Sequence, residues 1–189
     1  MELSVLAADP VIVGTLIGAL ALVMFAAAWH KFSEPDTFAG ALAAYQLLPQ
    51  QAITVVARAL PVLEALIGAG ILLPATRAPA LIALTALVLL YAAAMGVNLV
   101  RGRRDIDCGC GGESHPLSWG LVLRNLVLAA AALIASRPTL ERSMDWIDAL
   151  TLVLGVLAFY AFYLMADELL RQASRLARLG RDAHEHEHG

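Results

Sequence analysis

Five stretches of about twenty mostly apolar residues occupy most of this chain, at 10–32, 51–73, 79–100, 117–136 and 147–167. A helix needs about 20 such residues to cross a bilayer. A backbone inside lipid must also satisfy its own hydrogen bonds, and a helix does so. The pattern therefore predicts an all-α, polytopic membrane bundle of about five transmembrane helices. Pro74, Pro79 and Pro138 fall in the joints. Composition agrees: 60% of the 189 residues are hydrophobic and the mean hydropathy is +0.73, whereas soluble domains hold roughly 45–50% apolar residues. The lipid bilayer is thus the first expected partner. Nucleic acid is not expected, because no basic patch is interleaved with aromatics and the pI is about 5.9.

The first apolar run could pass for a cleaved leader, since Ala26-Ala27-Ala28 resembles a cleavage site. The preceding segment carries Glu2 and Asp9 but no Lys or Arg, which argues against a leader. Asp9-Pro10 instead reads as an N-cap followed by a first-turn proline, opening a helix that stays in the protein. Residues 35–49 are too short to cross, but Phe38, Leu42, Tyr45 and Leu47 or Leu48 recur at helical spacing. The expectation is a helix lying in the interface after the first span, with an ordinary connector as the alternative.

After residue 168 the character changes, which divides the chain into a transmembrane domain, 1–168, and an amphipathic helix with a polar His/Glu tail, 169–189. Arg171, Arg175 and Arg178 fall on one helical face, with Leu169, Ala173, Leu176 and Ala177 largely on the other. The closing HEHEHG suits a disordered polar tail better than a metal site, because three histidines without a folded frame hold metal weakly.

Charges inside the spans are costly and tend to face a bundle interior in pairs. Arg58, Glu64 and Arg124 are such residues. Arg58 and Glu64 are six apart and point to different faces, so Arg124 is the expected partner of Glu64. His30, Lys31, Asn98, Arg101 and Asn125 fall near the same end of the bundle. They read either as a polar cluster supporting chemistry or, for Lys31 and Arg101, as side chains snorkelling to the interface. Trp29 and Trp119 read as interfacial anchors.

At that end lies DCGCGG, 107–112, with the chain's two cysteines, Cys108 and Cys110, one glycine apart. Such a pair can form a strained, readily exchanged disulfide, offer thiolates to a soft metal, or be incidental. A structural staple is disfavoured, because so short a loop removes little chain entropy. Gly109, Gly111 and Gly112 supply the backbone freedom that a tight ring needs. Arg101, Arg103 and Arg104 favour the thiolate, while Asp105 and Asp107 oppose it. His115 is the one close further metal ligand, too few for a complete site, so no metal centre is expected.

The runs HKF at 30–32, YQLLP at 45–49, LPVLEALIGAGILL at 60–73, NLVRGRRDIDCGCGG at 98–112 and LSWGLVLRN at 117–125 together resemble the MauE/DoxX-like family of redox-associated membrane proteins. The resemblance implies a four-helix core plus one helix in the cell membrane. It also implies a role in thiol–disulfide exchange or electron transfer during maturation of a disulfide-containing client, a methylamine dehydrogenase-type enzyme outside the cytoplasm. A thioredoxin-like partner of the MauD type is implied with it. Cys108 and Cys110 would be the redox pair of an oxidoreductase component. Lys31, Glu64, Arg101, Arg124, His30 and Asn98 would be the supporting polar residues. Looser similarity to four-helix membrane thiol oxidoreductases suggests a quinone as acceptor. A non-catalytic scaffold for a soluble redox partner and a soft-metal carrier are the alternatives.

The charge pattern and the resemblance pull apart on sidedness. With five spans, the cysteine side carries Lys31, Arg101, Arg103, Arg104, Arg171, Arg175, Arg178 and Arg181, against Arg77, Arg137 and Arg142 opposite. The positive-inside rule places that side in the cytoplasm. The resemblance places it outside, where disulfides persist.

Overall fold

The structure is a computed structural model that describes residues 9–109, 116–140 and 143–187, with backbone alone at 174–175 and 177–187. Six helices are described: α1 (Pro10–Ser33), α2 (Pro35–Tyr45), α3 (Gln50–Leu72), α4 (Arg77–Val100), α5 (Trp119–Ala135) and α6 (Trp146–Glu187). The chain is a multi-pass helical membrane protein. Four segments are long and apolar enough to span: α1, α3, α4 and residues Trp146–Ala173 of α6.

The expected fourth span is shorter than the sequence run implies. At 17 residues, α5 is about 25 Å long, the lower limit for crossing. Its run loses its first two residues to the loop. Leu117 donates its N–H to the Ile106 carbonyl at 3.2 Å, and Ser118 is an extended N-cap at φ −144°, ψ 156°.

Local chemistry sets the other boundaries. Asp9 caps α1 by accepting from the Val11 N–H at 2.8 Å, with Pro10 in the first turn. Pro35 forces Glu34 out of helical geometry and ends α1. The expected helix after the first span is α2. It turns Phe38, Ala41 and Tyr45 into the protein and stops where Gln46 adopts a left-handed φ of 52°. The arginine-bearing segment after residue 168 continues α6 without a break.

The core lies between α1, α3, α4 and α5, where Leu20, Ile71, Leu81, Leu84 and Ala132 are fully buried. Helix α6 leans on α1 from outside, and glycines set that approach: a Cβ on Gly18 would stand 2.6 Å from Val156, and one on Gly155 would stand 2.9 Å from Thr15. Small residues let two membrane helices approach closely enough to pack. A smaller apolar cluster of Tyr45, Met95, Leu99, Cys108, Leu117 and Leu121 presses the 101–118 loop onto one end of the bundle.

Candidate functional site

The loop that carries the dithiol is folded inward. Asp107 accepts the Gly109 N–H at 2.8 Å, a turn in which an aspartate side chain replaces a backbone acceptor. Gly109 has φ +68°, and a Cβ there would press on Ala41 and Phe38 at 3.3–3.4 Å. Tyr45 donates its hydroxyl to the Cys108 carbonyl at 3.1 Å. Arg103 reaches the Tyr45 carbonyl and the Asn98 side-chain oxygen, each at 3.4 Å. Asp107 and Pro116 pair as an antiparallel bridge at the neck of the loop. Cys108 is therefore buried beneath α2. Cys110, Gly111, Gly112 and His115 lie outside the described residues.

Beneath this lid is a buried ion pair. Lys31 Nζ donates to both oxygens of Glu64, at 2.8 and 2.9 Å, and more weakly to the Ala27 carbonyl at 3.5 Å. Tyr91 donates its hydroxyl to Glu64 Oε1 at 2.8 Å. The ammonium also lies 5.3 Å from the Phe38 ring centre and 5.7 Å from that of Tyr91, within cation–π range. Glu64 has no solvent exposure and Lys31 has 5%.

This corrects two expectations. Lys31 does not snorkel outward, and the partner of Glu64 is not Arg124. Side chains on a helix lean toward its N-terminus, so a lysine near the C-terminal end of α1 reaches into the bundle. Arg124 is paired instead with Asp167 of α6, which Arg171 also contacts at 3.2 Å. Its guanidinium lies 5.7 Å from the Tyr163 ring centre. The Arg124–Asp167 pair ties α5 to α6, as Lys31–Glu64 ties α1 to α3.

The remaining expected site residues divide. Asn98 and Asn125 are buried, donating back to the Ala94 and Leu121 carbonyls at 3.1 and 2.9 Å. His30 and Arg101 are exposed, and His30 shares a small pocket with Lys31. Arg58, expected inside, is exposed on the outer face of α3. Sequence reading passed over Tyr45, Tyr91, Asp107 and Asp167 as site residues. Tyr91, Met95 and Asn98 recur at helical spacing on α4, and Asp107 stands two residues before a glycine. Those patterns were the available signals.

Part of this cluster faces a common cavity of about 440 Å³, within the range of small-molecule sites. Lys31, Glu64, Tyr91, Arg124 and Asn125 give it a polar side. Cys108, Gly109 and Tyr45 lie along its wall. Among the described residues, no three His, Cys, Asp or Glu side chains gather as a metal set.

Comparison with known proteins gives this arrangement a family. A profile described as "Methylamine utilisation protein MauE" matches residues 9–137, which hold the whole polar cluster except Asp167, Tyr163 and Arg171. A methylamine utilization protein MauE of Paracoccus denitrificans is 44% identical over 127 residues, covering 66% of this chain and 68% of that protein. Its counterpart in Paracoccus versutus is 41% identical, over 68% and 70%. The one in Methylophilus methylotrophus is 38% identical, over 78% and 80%. No solved structure matches significantly. On the extent of the profile match and on these identities, the chain belongs to the MauE family.

Proposed function

We propose that the protein serves methylamine utilisation from the plasma membrane as a thiol–disulfide exchange component. Cys108 and Cys110 are its reactive pair, and a thioredoxin-like protein of the MauD type is its partner. The client is a disulfide-containing enzyme of the methylamine dehydrogenase type outside the cytoplasm. The observation that carries this reading is the seating of Cys108. Tyr45 holds its carbonyl, the Asp107–Gly109 turn shapes the chain that leads to Cys110, and the residue lines a cavity shared with a buried ion pair. A staple would need neither the turn nor the cavity.

The chemistry is a balanced exchange. A thiolate of one pair attacks a disulfide sulfur of the other, a mixed disulfide forms, and the neighbouring thiol resolves it. Two electrons and two protons pass between the pairs, and no third reactant enters. Lys31, Glu64, Tyr91 and Arg124 hold the floor on which the loop sits, with Asn98 bracing its base through Arg103.

The test is replacement of Cys108 or Cys110 by Ser in a methylamine-grown host. Either change should stop disulfide maturation of the client while membrane levels of the protein stay normal. Full maturation with both cysteines replaced would overturn exchange and leave a scaffold that holds the redox partner at the bilayer.

A further inference from the structure

Helix α2 is held differently from the spans around it. The residues it buries are Phe38, Ala41 and Tyr45, and each bears on the 107–109 turn. A Cβ on Gly109 would meet Ala41 and Phe38 at 3.3–3.4 Å. The Tyr45 hydroxyl donates to the Cys108 carbonyl at 3.1 Å. Arg103, at the base of the same loop, donates back to the Tyr45 carbonyl at 3.4 Å. The inner face of α2 is thus a cover whose footprint is the seat of Cys108, and both polar latches close on that loop.

Beneath the rest of the helix there is space. Leu42, and Leu47 and Leu48 in the joint that follows, line the cavity of about 440 Å³. A second pocket of about 20 Å³ lies at the seam where the start of α2 meets the loop, among His30, Glu34, Thr37 and Asp107. Polar groups around a space of that size have room for one water. An element resting on a cavity and a polar seam gives up few packed contacts when it moves, which marks a segment of low local stability.

Both ends of α2 are built to turn. Glu34 alone separates it from α1, at φ −132°, ψ 63° and without a side-chain cap. Residues 46–49 separate it from α3, and Gln46 there holds a left-handed φ of 52°, which a β-carbon disfavours. Residues 32–37 and 46–50 are exposed, so turning at either joint uncovers no core. On the outer face, a Cβ on Gly40 would meet nothing within 4 Å. Hinges are commonly a few such residues at the ends of elements, where a change of φ and ψ is absorbed.

Exchange requires a partner's sulfur to reach a sulfur of this chain, and Cys108 is only 8% exposed. We propose that α2 is a lid over Cys108. Closed and latched by Tyr45, it withholds the thiol from a protein-sized partner. Turned about Glu34 and Gln46, it presents Cys108 to one. The use of the lid rests on the reading of Cys108 as an exchanging thiol, whereas its motion does not.

The test uses full-length Cys110→Ser protein in nanodiscs, in which Cys108 is the remaining cysteine. The probe is a maleimide on a long polyethylene glycol chain, too large for the cavity. The folded protein should label far more slowly than the same protein denatured in dodecyl sulfate. Adding Tyr45→Phe removes the latch and should speed labelling about fivefold, the worth of one hydrogen bond. Adding Gln46→Gly should slow it, because glycine relieves the left-handed joint of the closed state. A general loosening of the bundle would speed both variants and would overturn the lid. So would folded protein that labels at the denatured rate, or a Tyr45→Phe rate equal to that of its parent. If the lid fails in this way while client maturation still needs the cysteines, the lid falls and thiol exchange stands. If labelling follows the lid while maturation survives loss of both cysteines, the motion stands and exchange falls.

Discussion

At the scale of single residues, the Lys31–Glu64 pair dominates. Removing one partner of a buried pair leaves an uncompensated charge and costs about 3–5 kcal/mol, whereas replacing both by apolar groups is often neutral. Glu64→Gln should therefore lower the thermal unfolding midpoint in detergent markedly, and Lys31→Met with Glu64→Leu should recover most of the loss. A double variant as unstable as the single one would show that the pair is not the source of the cost. Gly109 is the second such residue. Gly109→Ala forces a Cβ into a left-handed conformation against Phe38 and Ala41, at a cost of about 1–2 kcal/mol from backbone handedness alone. Client maturation should fall with both cysteines still present. These details were only partly legible in the sequence. Asp9-Pro10 announced its cap, and Lys31, Glu64 and Arg124 were identified as important. The expected Glu64–Arg124 pair does not form, because helix faces read along one segment do not say which neighbouring helix brings the opposite charge. Lys31 instead leans into the bundle, and Asp167 was passed over as a partner for Arg124.

At the scale of elements, two ion pairs and a glycine seam hold separate helices together. Arg124–Asp167 is a polar link between α5 and α6. Arg124→Asp should loosen α6, and adding Asp167→Arg should restore much of the packing. Protease cleavage in the 136–145 segment, compared across the three proteins, reads this directly. Gly18→Leu should act on the same helix through sterics. Overpacking costs about 1–3 kcal/mol, and the Cβ would meet Val156 at 2.6 Å. Four of the five apolar runs became helices of spanning length, because apolar length is a local property. The fifth was overestimated because Leu117 and Ser118 belong to the loop, and that depends on a hydrogen bond to Ile106 across an interval no local pattern spans. The amphipathic spacing of Phe38 and Tyr45 found α2, whose apolar face proved to be the cover over Cys108.

At the scale of the whole molecule, the bundle places a cysteine loop, a buried ion pair and a shared cavity at one end of a membrane protein. The composition made the membrane legible, and the sequence quoted at 98–112 made the family legible. The burial of Cys108 was not, because it arises from α2 folding over the loop from sixty residues away. Exchange chemistry at Cys108 and Cys110 makes a direct demand on the resting protein. Membranes are quenched in acid, denatured, and alkylated with a heavy maleimide before and after reductant. A fraction of chains should gain two maleimides only after reduction, and that fraction should change in cells lacking the thioredoxin-like partner. Two maleimides on every chain without reductant, in both strains, would show a pair that is never oxidised and would contradict thiol–disulfide exchange.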